Sequence, residues 1–315
     1  MADLTPILHA FETKIAQSLS SGTSRAKAVQ QIVEQQLMAL LKKDGSLPYR
    51  EIYYQGSAYE KLMVYGPEFD LAVLIDMGEC VVTKTSNPLQ TKLTFTTYKT
   101  TKQNLLNTFH LSLKQALREI NKSGKKERFY LANNENSPAF EVNVYHDDPQ
   151  MGGKLWYTFD LVPTLAVRPK GEFREVRYFA RQSDEDELWT IDTAADEKEA
   201  LKNIDRDGGC RKQSIRILKA LRDYSPELNA IPSFVFKTLL LAENKKSGLD
   251  WRQSALGDRV RGLLQSLQDA LQRGQLYEVY NPTVNVMSRI KSPYRENVER
   301  RINSLLNQGD RKSVV

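Results

Sequence analysis

The run Glu68-Phe69-Asp70-Leu71-Ala72-Val73-Leu74-Ile75-Asp76, bounded by Gly66-Pro67 and Gly78, decides how this chain folds. Five consecutive apolar residues between turn formers predict a strand buried on at least one face. Residues two apart on a strand share a face, so Glu68 and Asp70 bring two carboxylates together, roughly 7 Å apart at Cα. Like charges so placed are costly unless a divalent cation lies between them. Hard carboxylate oxygens suit Mg²⁺ or Mn²⁺ held together with substrate phosphates.

Working outward, Ala139 to Tyr145 and Leu155 to Val167 read as two further apolar strands, and the turn-forming segment Asp147 to Gly153 predicts that they pair as an antiparallel hairpin. Asp160 lies in the middle of the second strand, where an unpaired buried carboxylate is unfavourable, and it is the natural third metal ligand. Upstream, Gly56-Ser57 offers close backbone approach and a hydroxyl donor for a phosphate. From Ile7 to Lys43 the apolar residues recur at helical spacing, broken at Ser18 to Ser24, which predicts two helices or one long kinked helix, stopped by Asp44-Gly45. From about Thr193 onward the pattern is helical, with segments at Arg211–Asp223, Ser233–Glu243, Leu256–Leu271 and Val298–Leu306. The expected architecture is α/β: a mixed β-sheet lobe with an N-terminal long helix over residues 1–193, then a helical C-terminal lobe over residues 194–315.

The 315 residues carry 40% hydrophobic and 27% charged side chains, which excludes disordered, collagenous and membrane-spanning classes. No stretch approaches the ~20 apolar residues of a membrane span, and the start lacks a basic-then-apolar signal, so no membrane association and a cytoplasmic location are expected. Two cysteines, Cys80 and Cys210, and three histidines predict neither a disulfide framework nor a zinc site, and both cysteines read as small buried residues. The net charge of +6 is unevenly spread. Lys84 to Arg128 holds ten Lys/Arg against Glu119 and Glu127, whereas Ser183 to Asp207 holds ten acids against three cations. The basic stretch is the expected nucleic-acid contact, with Lys99, Lys102, Lys122, Lys125 and Lys126 as candidates interleaved with Phe95, Tyr98 and Phe109. On Arg211–Asp223, Lys212, Arg216 and Lys219 fall at i, i+4, i+7, a basic face able to cradle phosphates.

Gly56-Ser57, Glu68-Phe69-Asp70 and Asp160 together resemble a nucleotidyltransferase of the polymerase-β type. Further segments extend the resemblance to the cyclic GMP-AMP synthase-like receptors of animals: Ser137-Pro138-Ala139, Leu188-Trp189, Cys210-Arg211-Lys212 with Lys219, and Ser233-Phe234 with Lys237-Thr238. That resemblance implies a bilobal nucleotidyltransferase fold, and a nucleic-acid-activated enzyme joining two nucleoside triphosphates (ATP, GTP) into a cyclic dinucleotide second messenger for innate antiviral defence. By the same resemblance Glu68, Asp70 and Asp160 are catalytic and hold Mg²⁺ (or Mn²⁺). Lys219 holds the triphosphate, and Ser233 with Phe234 holds a nucleobase. In Trp189-Thr190-Ile191-Asp192 the chain departs from the family pattern, placing a hydroxyl where a guanidinium is usual and a carboxylate at Asp192, a candidate reader of base edges. Guanine selectivity is therefore not carried over. The Cys/His zinc insert of DNA-sensing members is also missing, which favours double-stranded RNA over DNA, with possible dimer formation on nucleic acid. Two other classes share these features: a catalytically silent nucleic-acid- or protein-binding relative, and an enzyme adding nucleotides to an RNA end.

Overall fold

The computed structural model describes residues 4–20, 29, 31–55, 62, 68–85, 91–124, 126–132, 139–147, 149–180 and 188–308. The chain divides into two compact units, one of residues 21–60 and 66–198, the other of residues 1–20, 61–65 and 199–315. The boundary at 198/199 lies close to the 193/194 division read from the sequence. The first twenty residues, however, cluster with the helical unit.

The first unit is built on one eight-stranded mixed sheet. Its strands are β1 (Tyr49–Gln55), β2 (Glu68–Lys84), β3 (Thr91–Phe95), β4 (Glu127–Leu131), β5 (Phe140–His146), β6 (Lys154–Pro169), β7 (Val176–Ala180) and β8 (Leu188–Ile191). The order is β1-β2-β3-β8-β7-β6-β5-β4, and β2 also pairs with β6 in parallel. Strands β2, β3, β8, β7 and β6 therefore close on themselves, which covers backbone edges that would otherwise be unpaired. Leu71 to Ile75 are fully buried, as their unbroken apolar run requires of a strand covered on both faces. The expected hairpin is present as β5 antiparallel to β6, its turn carried by left-handed Asp147 (φ 64°) and Gly152 (φ 85°).

Strand β2 is longer than the sequence suggested because Gly78, at φ 68°, bulges it. The register against β6 shifts between Asp76 and Gly78, and from there β2 continues beside β3 rather than β1. Helix α1 (Thr5–Ser20) and a second helical stretch, a π segment at Val33–Leu37 running into α2 (Met38–Asp44), answer the opening pattern, and α2 ends at left-handed Gly45 as expected. Helix α3 (Lys102–Lys122) starts at Thr101, whose hydroxyl accepts from Asn104 N at 3.2 Å. Its apolar stripe Leu105, Phe109, Leu113, Ala116, Leu117 and Ile120 is buried in the core with Phe129, Val142, Val144 and Phe159 of the sheet.

The second unit contains α1, α5 (Arg211–Tyr224), α6 (Ser233–Asn244), α7 (Leu256–Arg273) and α8 (Ser292–Gln308). The division falls inside α4 (Ala194–Lys202). Ile15 of α1 and Ala220 of α5 pack together, with the rings of Phe11 and Tyr224 centred 6.3 Å apart. Cys80 and Cys210 are buried free thiols, and burial pushes the Cys80 thiol up to about 11. No helix among the described residues is long and apolar enough to cross a membrane.

Two glycines give opposite tests of this packing. A Cβ on Gly153 would lie 2.5 Å from Asp147 O and 2.8 Å from His146 O, backbone atoms that cannot swing aside, whereas a Cβ on Gly262 in α7 meets nothing. Gly153→Ala should destabilise by more than about 1 kcal/mol and Gly262→Ala should stabilise by about 0.5–1 kcal/mol. Urea unfolding midpoints moving in opposite directions are the expected result.

Candidate active site

The parallel pairing of β2 and β6 is in register at the acids, with Asp70 opposite Asp160 and Glu68 opposite Thr158. On the far side of β6, antiparallel β5 sets Glu141 opposite Asp160 and Asn143 opposite Thr158. On the far side of β2, the last residue of β1, Gln55, stands opposite Asp70. Residues directly paired across strands share a face, so Gln55, Asp70, Asp160 and Glu141 form one polar row across four strands, each about 4.8 Å from the next. One row along, Thr158 Oγ donates to Asn143 Oδ1 at 2.9 Å.

Asp70, Asp160 and Glu141 are each half-buried. The side chain of Glu68 and all of Gly56, Ser57, Ser137 and Pro138 lie outside the described residues, so only the strand position of Glu68 is set. The Gln55 carboxamide oxygen is fully buried and has no donor among the described residues. A row of carboxylates ending in an orphaned carbonyl oxygen is an all-oxygen donor set that fits a hard cation. Among the described residues no group of three His, Cys, Asp or Glu closes on a metal by itself, and a row spread over several strands leaves coordination positions for other oxygens. Sequence reasoning missed Glu141 and Gln55. The signal for Glu141 was the alternation Phe140-Glu141-Val142-Asn143-Val144, whose buried valines put Glu141 on the opposite face; Gln55 carried none.

Asp192, the expected reader of base edges, is hydrogen-bonded through both carboxylate oxygens. One oxygen accepts from the Tyr53 hydroxyl and the other from Ala194 N at 2.9 Å, where it caps the start of α4. Asp192 N donates to Arg177 O at 2.8 Å, and the Arg177 guanidinium lies 4.8 Å over the Tyr53 ring. Burial, followed by the charge of Asp192, holds the Tyr53 phenol well above its ordinary value. Both carboxylate oxygens thus tie β8 to β1 and α4. The neighbouring Thr190 is buried.

In the helical unit, Arg211 N and Lys212 N donate to the two oxygens of Asp205 at 3.0 Å, fixing the start of α5. Arg216 is ion-paired with Glu12 of α1, its Nε donating at 2.7 Å. Lys212 is buried, and Lys219, 5% exposed, donates to Leu62 O at 3.2 Å. The expected basic face is therefore buried and partnered, not a solvated stripe. Ser233 opens α6, and Phe234 beside it is 37% exposed while Val235 and Phe236 are buried. The Phe234 ring, unlike its neighbours, presents a surface.

Of the nucleic-acid candidates, Lys99, Lys122 and Lys126 are exposed, with Lys122 held 2.7 Å from Glu119. Lys125 lies outside the described residues. Lys102, at the first turn of α3, is buried at 8% exposure. Phe95 and Phe109 are core residues, leaving Tyr98 as the exposed aromatic of that set.

The Asp192 tie is testable without any substrate. Asp192→Ala removes the acceptor of two donors and should cost about 1–3 kcal/mol, whereas Asp192→Asn keeps a carbonyl for Ala194 N and should cost less. Because the folded Tyr53 pKa is raised, its contribution is complete below pH 10 and is lost as pH rises beyond it, so Tyr53→Phe should flatten the alkaline fall in stability. Unfolding midpoints from pH 7 to 11 check both.

Residues 210–304, within the helical unit, match the family described as Mab-21 protein HhH/H2TH-like domain. Over 340 aligned residues the chain is 24% identical to cyclic GMP-AMP synthase-like receptor 3 of Stylophora pistillata, covering 100% of this chain and 98% of that relative. An acid row on a mixed sheet and a helical unit carrying the Mab-21 match thus accompany a similarity to a cyclic GMP-AMP synthase-like receptor that runs along the whole chain.

Proposed function

We propose that the protein is a Mg²⁺-dependent cytoplasmic nucleotidyltransferase that makes a cyclic dinucleotide from two nucleoside triphosphates when double-stranded RNA binds. The observation that supports this reading is the in-register placement of Asp70 and Asp160 on parallel neighbours β2 and β6, with Glu68 two residues before Asp70. Glu68, Asp70 and Asp160 would hold the metal, with Mn²⁺ as substitute. When bound, Mg²⁺ lowers the pKa of an attacking ribose hydroxyl and stabilises charge on the α-phosphate.

The chain's own residues bind and move protons. Asp160 would accept the proton of the attacking hydroxyl. Gly56 and Ser57 hold phosphate through backbone amides and a hydroxyl. Lys219 would be the phosphate cation of the helical unit, exchanging its contact with Leu62 O for a charge-assisted bond to phosphate that burial strengthens. Phe234 supplies a stacking face for any base, and Ser233 a hydroxyl beside it.

For the activator, the exposed face of α3 carries Lys114, Arg118 and Lys122 at i, i+4, i+8, with Lys99 and Lys126 beyond its ends. A rigid cationic ridge can follow the phosphates and 2′-hydroxyls of A-form RNA without reading sequence. An innate-immune role is what the resemblance to the cyclic GMP-AMP synthase-like receptors implies for such a product.

The deciding experiment incubates the protein with four labelled triphosphates and Mg²⁺, with or without duplex RNA or DNA, and identifies phosphatase-resistant products. A small cyclic product appearing with duplex RNA is expected. A polymer would mean an RNA-end enzyme, and stimulation by duplex DNA alone would overturn the ligand. Glu68→Gln with Asp70→Asn should reduce product at least 100-fold while leaving metal-free thermal stability unchanged or higher, since it relieves repulsion. Synthesis surviving in that variant sinks the metal assignment.

A further inference from the structure

Strand β2 is flanked at Glu79 and Cys80 by two loops. Thr96, at the end of β3, donates its N–H (3.2 Å) and its hydroxyl (2.7 Å) to Glu79 O, and on the other side Lys170, just past β6, donates its N–H to Cys80 O at 2.8 Å. Loops 96–101 and 170–175 thus leave the sheet on either side of one strand, about 10 Å apart. The first presents Tyr98, 37% exposed, and Lys99. The second presents Phe173, at 103% the most exposed large apolar side chain described, between exposed Arg168, Lys170 and Arg174.

The charges here are available. Among the described residues, Lys99, Arg168, Lys170 and Arg174 have no ion pair, and Glu175, the acid closing the second loop, is already held by Arg50 at 2.6 and 2.9 Å. Exposed Glu79 and Glu172 interrupt the patch without neutralising it. Two separate aromatic rings among unpaired cations match what an unpaired nucleic-acid strand requires: one ring per base, with cations spaced along the phosphates. A base-paired duplex offers Phe173 no open base face. Membrane binding grows with apolar area and with basic charge, and here two separate rings give little of the first while Glu79 and Glu172 weaken the second, whereas a flexible strand routes around the acids.

We propose that Tyr98 and Phe173, with Lys99, Arg168, Lys170 and Arg174, form a binding site for single-stranded nucleotides, such as an overhang or loop attached to an RNA duplex. The proposal deepens the nucleic-acid part of the functional reading and does not depend on the synthetic chemistry.

The test is fluorescence anisotropy of the full chain with a labelled 12-nucleotide single-stranded RNA, a blunt duplex, and the duplex bearing an overhang, alongside sedimentation with phosphatidylserine vesicles. Phe173→Ala with Tyr98→Ala should weaken single-strand binding on the order of tenfold or more, leave its salt slope nearly unchanged, and abolish the advantage of the overhang. Arg168→Glu with Arg174→Glu should weaken binding and reduce the salt slope by about 2. Melting midpoints confirm that each variant folds, and Phe173→Tyr should restore binding should the double alanine variant melt early. Unchanged single-strand affinity in the folded alanine variant, or Phe173-dependent vesicle binding without oligonucleotide binding, overturns the site. Because the readout is binding, absence of cyclic product alongside Phe173-dependent binding would refute the synthase and leave this site standing.

Discussion

Two carboxylates held opposite each other on adjacent strands set the terms for this protein. At about 5 Å and an effective dielectric near 20, two unit charges repel by about 3 kcal/mol, and Glu141 adds a third acid to the same row. The sheet sustains that cost because the strands beneath are among its most buried elements. Leu71 to Ile75, Phe159, Leu161 and Leu165 are essentially without solvent exposure, and apolar burial at roughly 25 cal/mol per Å² outweighs repulsion of this size. The parallel pairing cannot slip by one residue to relieve it either, because that would move the whole apolar set of a strand to the wrong face.

The same constraint explains why some features were legible in the sequence and others were not. A run such as Leu71 to Ile75 has one reading, and the Asp147–Gly153 turn joins two similar runs, so β2, β5 and β6, with Glu68, Asp70 and Asp160, could be placed from residues alone. Strands β1, β3, β4, β7 and β8 are four to seven residues long with mixed polarity, and they become strands by pairing with partners distant in sequence. Gln55 owes its place opposite Asp70 to that kind of pairing, which no local pattern encodes.

Charge was the least legible property. The basic stretch from Lys84 to Arg128 reads as one patch, yet Lys102 turns into the protein, Lys122 is held by Glu119, and two of the interleaved aromatic residues are core. In the helical unit the regular i, i+4, i+7 cations of α5 proved to be a buried lysine pair around an arginine committed to Glu12. Periodicity reports which residues share a face of a helix. Whether that face meets water or another element depends on what packs against it.

Function therefore follows from partner status more than from sequence charge. A cation already satisfied within the chain must break that contact to bind a phosphate, whereas an exposed cation with no ion pair loses only its hydration and releases counterions. On that criterion Arg211, Arg216 and Arg252, each paired with a carboxylate, are structural cations, while Lys99, Lys114, Arg118, Lys126, Arg168, Lys170 and Arg174 remain for polyanions. The acids obey the mirror rule. Asp192, Asp205 and Glu12 are held by donors of the chain, while Asp70, Asp160 and Glu141 share one row of one sheet face, next to a buried Gln55 oxygen that has no donor among the described residues.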